Sequence, residues 1–246
     1  MLFNSNHFIL VFLPVVFLFF HFIRHFSISA AFNFMALASL LFYGYGEPKF
    51  LLLLLASVTF NYFVGCHLIE QKNKQLLIIA IAANVAAIGY FKYSNFFVEN
   101  LNAVFSVKMA LSDVALPLGI SFYTFQKIAF LVDAYKSKIK KPSIVEYLLF
   151  VSFFPQLIAG PIVHYNQIET QLRSREAIPL RLITAGIFLY SIGLFKKSMF
   201  ADFAGSWADF VFNNPVAASP EQSALAVIAY TPVSYTHLTL PTSDLV

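Results

Sequence analysis

Long apolar runs separated by short polar stretches dominate this sequence, and they restrict the folds open to the chain more than any other feature. Residues 51–55 are five consecutive leucines, and the first long run covers Phe8–Phe22. The chain is 59% hydrophobic and 11% charged, whereas a soluble domain carries about 25% charged residues. Because about 20 apolar residues cross the hydrocarbon core of a bilayer, the sequence predicts an all-α polytopic membrane helix bundle.

The apolar runs predict seven to eight membrane spans and two amphipathic helices that lie on the membrane surface. The predicted spans are Phe8–Phe22, Ile28–Tyr45, Phe50–Ile69, Gln75–Phe91, Leu116–Val132, Ile144–Val163 and Leu182–Phe195, with the start of an eighth at Ala224. The predicted surface helices are Ser94–Phe105 and Phe200–Val211, in which apolar and polar faces are separated at helical spacing.

Small residues in the fourth predicted span favour close packing against another helix. They are Ala82, Ala83, Ala86, Ala87 and Gly89. Spacing of this kind lets two helix backbones approach each other in a membrane. Asn84 lies among these residues, and we expect its amide to bond to the neighbouring helix.

The thinly spread charges and the single cysteine exclude several classes of protein. The net charge of +4 falls on short loops, which indicates lysines at a membrane surface and no nucleic-acid site. Cys66 alone cannot form an internal disulfide or a cysteine metal cluster, and no metal site is predicted. The N-terminus lacks the features of a cleavable signal peptide. Loop lysines and arginines, nine against six, favour an N-terminus outside the cytoplasm.

Two apolar segments are interrupted by proline and glycine and carry hydroxyl and amide side chains. They are Pro117–Lys127 and Phe153–Tyr165. Irregular or polar structure at membrane depth is tolerated only where protein buries it or water reaches it. We therefore expect these segments to form the wall of an internal cavity. The predicted tunnel-lining residues are Ser121, Tyr123, Gln126, Lys127, Gln156 and His164.

Lys127 is the only charged residue deep inside a predicted span. A charge at that depth costs about 2.5–3.5 kcal/mol on insertion, so its side chain should face the bundle interior. Ser121, Thr124 and Lys127 follow at three-residue spacing and share one side of a helix. This polar stripe fits a substrate tunnel. It fits equally a hydrogen-bonded seam between helices, with Lys127 extended to the membrane interface.

Pro155 and Pro161 predict breaks in the sixth span, because proline removes a backbone donor. The freed carbonyl groups need donors, and Gln156 and His164 are nearby. His164 could also exchange protons near neutral pH. A single histidine beside a helix end is more often a structural hydrogen-bond partner.

The two interrupted segments, with three shorter stretches, carry a resemblance to one family of membrane enzymes. The signature stretches are Pro117–Gln126 and Phe153–Tyr165, and the others are Met1–Ser5, Phe42–Tyr45 and Asn84–Tyr93. They resemble the membrane-bound O-acyltransferase (MBOAT) family, in its alginate O-acetylation (AlgI-like) branch. The resemblance extends to about Tyr230. His164 departs from the pattern, since arginine is expected there more often.

The resemblance implies a ring of tilted helices around a pore, in the inner membrane of a bacterium. The implied reaction moves an acetyl group from acetyl-CoA or another activated acyl carrier to a hydroxyl of an exported polysaccharide, with no bound cofactor. The implied partners are the bilayer, the glycan acceptor and an extracytoplasmic acetylation protein. The family's catalytic histidine lies in a Trp-His motif that is absent from this sequence, so no catalytic residue is transferred to this chain and an inactive fragment is expected.

Residues 232–246 form a Thr/Pro-rich tail whose composition differs from the preceding sequence. We expect residues 1–231 to be the N-terminal part of an MBOAT domain and the tail to be non-native; a genuine last span kinked at Pro232 is the alternative. A transporter or flippase is a rival function, because it also needs a polar stripe and broken helices. A non-enzymatic membrane scaffold is a third possibility.

Overall fold

The computed structural model describes residues 5, 7–105, 115–157, 163–168, 179–213 and 218–239, the last range with side chains to residue 231. Helices make up nearly all of these ranges, and no strand occurs within them. The predicted all-α class is therefore confirmed. The chain divides into two compact units, the first holding the described residues up to 168 and the second those from 179 onward.

The described residues of the first unit form seven helices. They are α1 Leu13–Phe26, α2 Ile28–Gly46, α3 Pro48–Glu70, α4 Lys74–Phe105, α5 Ile120–Tyr135, α6 Ile144–Ser152 and α7 Phe154–Leu157. A π-helical segment, Phe8–Phe12, leads directly into α1. Residues 165–168 add one further helical turn.

In the second unit, the ranges 179–213 and 218–239 form three helices. They are α8 Leu180–Lys196, α9 Asp202–Asn213 and α10 Pro220–Thr239. The π-helical segment Lys197–Ala201 joins α8 to α9 without a break. The predicted separation of a seventh span from a surface helix is thus wrong, because the lysine pair that marked the boundary does not interrupt helical backbone. Lys197 instead pairs with Asp202 at 2.9 Å.

Local sequence explains where most helices of the first unit begin. At the start of α2, the Ser27 hydroxyl accepts a hydrogen bond from the Ala30 amide, and Pro48 occupies the first turn of α3. At the start of α4, Asn73 Oδ1 accepts hydrogen bonds from the backbone amides of Gln75 and Leu76. Ser143 and Glu146 form a reciprocal capping box at the start of α6.

Among the residues that the structure describes, five helical stretches are long and apolar enough to cross a membrane. They are Phe8–Phe26, Ile28–Gly46, Pro48–Glu70, Lys74–Phe105 and Leu180–Asn213. The predicted spans at α5 and α6 are shorter, with 16 and 9 helical residues. At 1.5 Å per residue α5 is about 24 Å long, less than the roughly 30 Å hydrocarbon core.

The helix α4 is continuous for 32 residues, so the prediction of a separate surface helix at Ser94–Phe105 is wrong. Neither proline nor glycine lies at the proposed junction between Tyr93 and Ser94, and the backbone stays helical through both residues. A change from an apolar to an amphipathic pattern alters the surroundings of a helix without ending it.

The predicted sixth span is broken earlier than the sequence suggests. Helix α6 ends at Ser152, Phe153 leaves the helical conformation with ψ of 109°, and α7 covers only Phe154–Leu157. A helix continued through Pro155 would bring its ring against the Val151 carbonyl, which explains a break before the proline. The amide of Phe154 donates to Ser39 Oγ of α2 at 3.3 Å. Pro161 lies outside the described residues.

The core of the first unit surrounds α5, which packs against α3 and α4. Phe130 of α5 is fully buried, and its ring lies 4.3 Å from that of Tyr147 on α6. Gly65 of α3 permits this packing, because a Cβ there would stand 2.2 Å from Phe130 Cε1. The close approach of α3 and α5 therefore requires glycine at position 65.

The packing face predicted for α4 is wrong in the described protein. Ala82, Ala83 and Ala86 are exposed, and a Cβ added at Gly89 would meet no atom within 4 Å. The buried face is the row Ala80, Asn84 and Ile88. Both rows have four-residue spacing, and the polar Asn84 marks the one that faces the bundle.

Candidate functional site

A set of buried polar side chains runs along α5 inside the first unit. A left-handed Gly119, with φ of 71°, precedes the helix. Glycine adopts this conformation readily, and α5 begins after it at Ile120, four residues later than the predicted span. Tyr123, Gln126 and Lys127 are then 2%, 3% and 1% exposed, whereas Ser121 is half-buried. We call Tyr123, Thr124, Gln126 and Lys127 the α5 seam.

Lys127 is held inside the unit by a helix neighbour and by an aromatic ring. Its Nζ donates a hydrogen bond to Ser57 Oγ of α3. The same atom lies 4.5 Å from the centre of the Tyr123 ring, within range of a cation–π interaction. Within the described ranges it forms no ion pair. The extension of Lys127 to the membrane interface, one of the two sequence interpretations, does not occur.

A reciprocal amide pair joins α3 to α4 beside the seam. Asn61 Nδ2 donates to Asn84 Oδ1 at 3.2 Å, and Asn84 Nδ2 donates to Asn61 Oδ1 at 2.7 Å. Each amide also donates to a carbonyl of its own helix, Ser57 or Ala80. The predicted bond from Asn84 to a neighbouring helix is confirmed. Amide donors and acceptors are matched here, so the pair fixes the register of the two helices.

Two polar atoms near the seam have no hydrogen-bond partner among the residues that the structure describes. They are Gln126 Oε1 and the Tyr147 hydroxyl, and both are buried. An unpaired buried acceptor costs about 1–3 kcal/mol. Such groups are retained at sites where a water molecule or a substrate can complete the hydrogen bonding.

Gln156 and His164 both belong to the second interrupted segment, but their side chains differ in exposure to solvent. Gln156 is buried on α7, 9% exposed. The His164 side chain is half exposed, and its Nδ1 lies 2.6 Å from Asp133 Oδ2. Asp133 is 3% exposed. The structure therefore joins His164 to the buried end of α5, and not to the carbonyl groups freed by Pro155.

A histidine whose Nδ1 is held by a buried carboxylate has a fixed ring orientation. Its Nε2 is then available to bind or transfer a proton, and the pair also ties the segment after α7 to α5. Asp133 follows Lys127 by six residues, about 9 Å along the helix axis. The pair is thus a separate feature from the lysine.

Sequence reasoning missed Ser57, Asn61 and Asp133 as members of this polar interior. Asp133 falls just outside the predicted span, which ends at Val132, whereas α5 continues to Tyr135. Its seven-residue spacing from Gln126 was the available signal, since two helical turns return a side chain to the same face. Ser57 carries no such signal, because a serine in a span commonly bonds to its own helix.

No group of three or more histidine, cysteine, aspartate or glutamate side chains lies close enough to hold a metal ion within the described part of the chain. The buried polar groups of the first unit can bind, orient and exclude water, with Lys127 as the cation available to an anionic or polarised oxygen.

Comparison with known proteins identifies the family. Residues 30–241 match the profile of the membrane-bound O-acyltransferase family. The chain belongs to the MBOAT family. It is 38% identical over 263 residues to a peptidoglycan O-acetyltransferase of Helicobacter pylori, an alignment covering 94% of this chain and 50% of that protein.

Two further MBOAT relatives carry the description probable alginate O-acetylase AlgI. The protein of Pseudomonas aeruginosa is 31% identical over 93% of this chain and 46% of its own length. That of Pseudomonas putida is 32% identical over 93% of this chain and 49% of its own length. The chain spans about half the length of the curated relatives it matches, and no solved structure matches it. With its apolar helices, MBOAT membership establishes a multi-pass membrane protein.

Proposed function

We propose that this chain is part of a membrane O-acetyltransferase that acetylates hydroxyl groups of an exported cell-envelope polysaccharide. The observation that carries the proposal is the similarity, over 94% of the chain, to a protein named peptidoglycan O-acetyltransferase. Relatives named alginate O-acetylase support the same reaction on another glycan. The chain is 38% identical to the peptidoglycan O-acetyltransferase and 31% and 32% identical to the two alginate O-acetylases, which favours peptidoglycan as the acceptor.

The α5 seam fits the part of this reaction that needs a polar path through an apolar bundle. Bulk water must be kept from the reacting acetyl carbonyl, since water would consume the donor, but the polar substrates still need a polar path that leads to that point. Lys127 and the unpaired Gln126 Oε1 are buried side chains that can bind polar substrate groups in such a path. Ser121, Tyr123 and Gln156 complete the proposed lining, and His164 lies at its edge, held by Asp133.

We propose no residue of this chain as the general base of the reaction. The family resemblance places that histidine in a Trp-His motif, and the only tryptophan here, Trp207, is followed by Ala208. A positioned histidine contributes about 10²–10⁴-fold to a transfer of this kind. We therefore expect no measurable acetyl transfer from these 246 residues alone.

Loop charges support a bacterial cytoplasmic membrane with the lysine-rich loops facing the cytoplasm. In that orientation an activated donor such as acetyl-CoA would enter from the lysine-rich end. The glycan acceptor and an extracytoplasmic acetylation protein would meet the opposite end.

The test of function uses the intact gene, recovered from genomic DNA beyond the codon for Tyr230. Cells with the gene, without it and with it restored are compared for acetate released from purified peptidoglycan by mild base. We expect the acetate to disappear with the gene and return with it. Unchanged acetate together with less glycan outside the cell would contradict the proposal and favour a transporter.

The proposed lining is tested by cysteine substitution in the intact protein. Ser121→Cys and Gln156→Cys should react with a water-soluble maleimide, with exposed Leu52→Cys on the apolar surface as the unreactive control. Protection of both positions from probes added on either side of the membrane would exclude an aqueous path along α5.

A further inference from the structure

Six lysines gather at one end of the first unit. Helix α3 ends there at Glu70, α4 begins at Lys74, and the loop from α5 to α6 lies between residues 136 and 143. We call this set the lysine ledge: Lys72, Lys74, Lys136, Lys138, Lys140 and Lys141. All six side chains are exposed.

The loop between α5 and α6 is anchored at several points. Ile139 is 6% exposed and belongs to the main core cluster. The Tyr62 hydroxyl donates to the Pro142 carbonyl at 3.2 Å, and Lys141 Nζ donates to Glu70 Oε1 at 2.7 Å. Because Ile139 is held inward, its neighbours Lys138 and Lys140 are held outward.

The ledge keeps most of its positive charge. The Glu70 carboxylate accepts from Lys141 and raises the pKa of that lysine, so this amine stays protonated. Glu146 bonds to the Ser143 amide in the α6 capping box. Within the described residues the other five lysines make no ion pair. Two loops of one compact unit thus present a surface on which positive charge predominates.

The position of the ledge places it at the depth of lipid headgroups. Its lysines lie within a few residues of the ends of the apolar helices α3, α4 and α5. Lys49, at the other end of α3, precedes Glu70 by 21 residues, about 30 Å along the helix. That distance matches the thickness of a bilayer core, so the ledge and Lys49 belong to opposite membrane surfaces.

We propose that the lysine ledge binds the phosphate groups of anionic phospholipids in the leaflet at its own end of the bundle. Lysines beside a membrane helix are attracted to anionic lipid, each by about fivefold in affinity. A fixed loop loses little conformational freedom on binding, which favours defined lipid positions over a diffuse attraction. The headgroup depth and the spread over two loops fit several lipid phosphates better than one soluble anion.

The test measures binding of phosphatidylglycerol and phosphatidylcholine with identical acyl chains to the purified chain in mild detergent, by native mass spectrometry. We expect wild type to prefer phosphatidylglycerol by at least about tenfold. The variant with Lys72, Lys74, Lys138 and Lys140 changed to Gln should lose that preference. The control with Lys49→Gln and Lys92→Gln should keep it, and so should arginine at the four ledge positions, since the charge remains.

Equal binding of the two lipids by wild type would overturn the proposal. So would an equal loss in the Lys49 and Lys92 control, which would indicate a nonspecific charge effect. Displacement of bound phosphatidylglycerol by soluble glycerol phosphate would overturn the lipid assignment and indicate a free phosphate ligand. The assay contains no acetyl donor, so its outcome is independent of the proposed transferase activity.

Discussion

The buried hydrogen bond between Lys127 and Ser57 decides how a charge is tolerated inside the first unit. Lys127 is 1% exposed, and among the described residues its amine contacts Ser57 Oγ and the Tyr123 ring. A buried charge without a carboxylate partner adds little stability, and an apolar side chain of similar size often replaces it at no loss. This arrangement is therefore better explained by function than by folding.

Ser57→Ala should destabilise the protein more than Lys127→Met. Removing the hydroxyl leaves the buried amine without an acceptor, at a cost of about 1–3 kcal/mol, whereas methionine removes the polar group altogether. Thermal unfolding midpoints in mild detergent measure both effects. The unfolding midpoint of the double variant should return toward that of Lys127→Met. A Lys127→Met protein less stable than Ser57→Ala would show that the lysine stabilises the fold.

The Asp133–His164 pair is expected to act as an attachment between segments. His164→Arg should keep the contact with Asp133 and preserve stability, because arginine also donates to a carboxylate. His164→Ala should lower the free energy of unfolding by about 1–3 kcal/mol, since it leaves a buried carboxylate unpaired. Thermal unfolding checks both changes.

The same two variants decide whether His164 exchanges protons. In the intact protein, glycan acetylation by His164→Arg should remain within about twofold of wild type, because an attachment role needs no proton transfer. A loss of acetylation in His164→Arg at unchanged stability would contradict the attachment role and support an acid–base role.

Several of these residues could be predicted and others could not. Lys127 was predicted because a charge inside an apolar run is easily recognised, and Asn84 because an amide stood among small residues. Ser57 and Asp133 were missed because their roles depend on which helices become neighbours. Sequence periodicity assigns a side chain to a face of its own helix, but the partner of that face is set by tertiary packing.

At the scale of elements, hydropathy predicts that the helices are present, and capping residues explain where several of them begin. Ser27, Pro48, Asn73 and the Ser143–Glu146 box each coincide with the start of a helix. The wrong boundaries lie where a change in polarity was taken as an end, in α4 and between α8 and α9. Polarity governs where a helix lies, whereas proline, glycine and caps govern where it stops.

Gly65 controls the approach of α3 to α5. Gly65→Ala should destabilise the protein by about 1–3 kcal/mol, because the added Cβ would stand 2.2 Å from Phe130 Cε1 and that ring is fully buried against Tyr147. The matched control is Gly89→Ala in α4, where a Cβ meets no atom within 4 Å. The control should be neutral or up to about 1 kcal/mol more stable, from helix propensity alone.

Thermal unfolding of the two glycine variants in the same detergent provides the comparison. Equal midpoints would show that Phe130 moves aside without cost and that the contact of α3 with α5 is adaptable. A large loss in Gly89→Ala would indicate that α4 packs against a surface through Gly89.

At the scale of the whole molecule, apolar helices place the chain in a membrane and the family match assigns it to MBOAT proteins. Composition alone predicted the membrane and the all-α class. The number of spans did not follow from it, because the two segments predicted as spans at α5 and α6 form helices of only 16 and 9 residues that lie in the core of the first unit. Buried short helices of this kind depend on their neighbours and carry the polar side chains of the α5 seam.

The central claim is that the interior of the first unit serves acetyl transfer to a cell-envelope glycan. The most direct measurement is base-released acetate on peptidoglycan from cells making equal amounts of intact wild-type, Lys127→Met or Thr59→Ala protein, Thr59 being exposed on the surface. We predict at least a tenfold loss for Lys127→Met, as expected for about 1.4 kcal/mol or more of lost binding, and no change for Thr59→Ala. Wild-type acetate in the Lys127→Met cells would contradict the account.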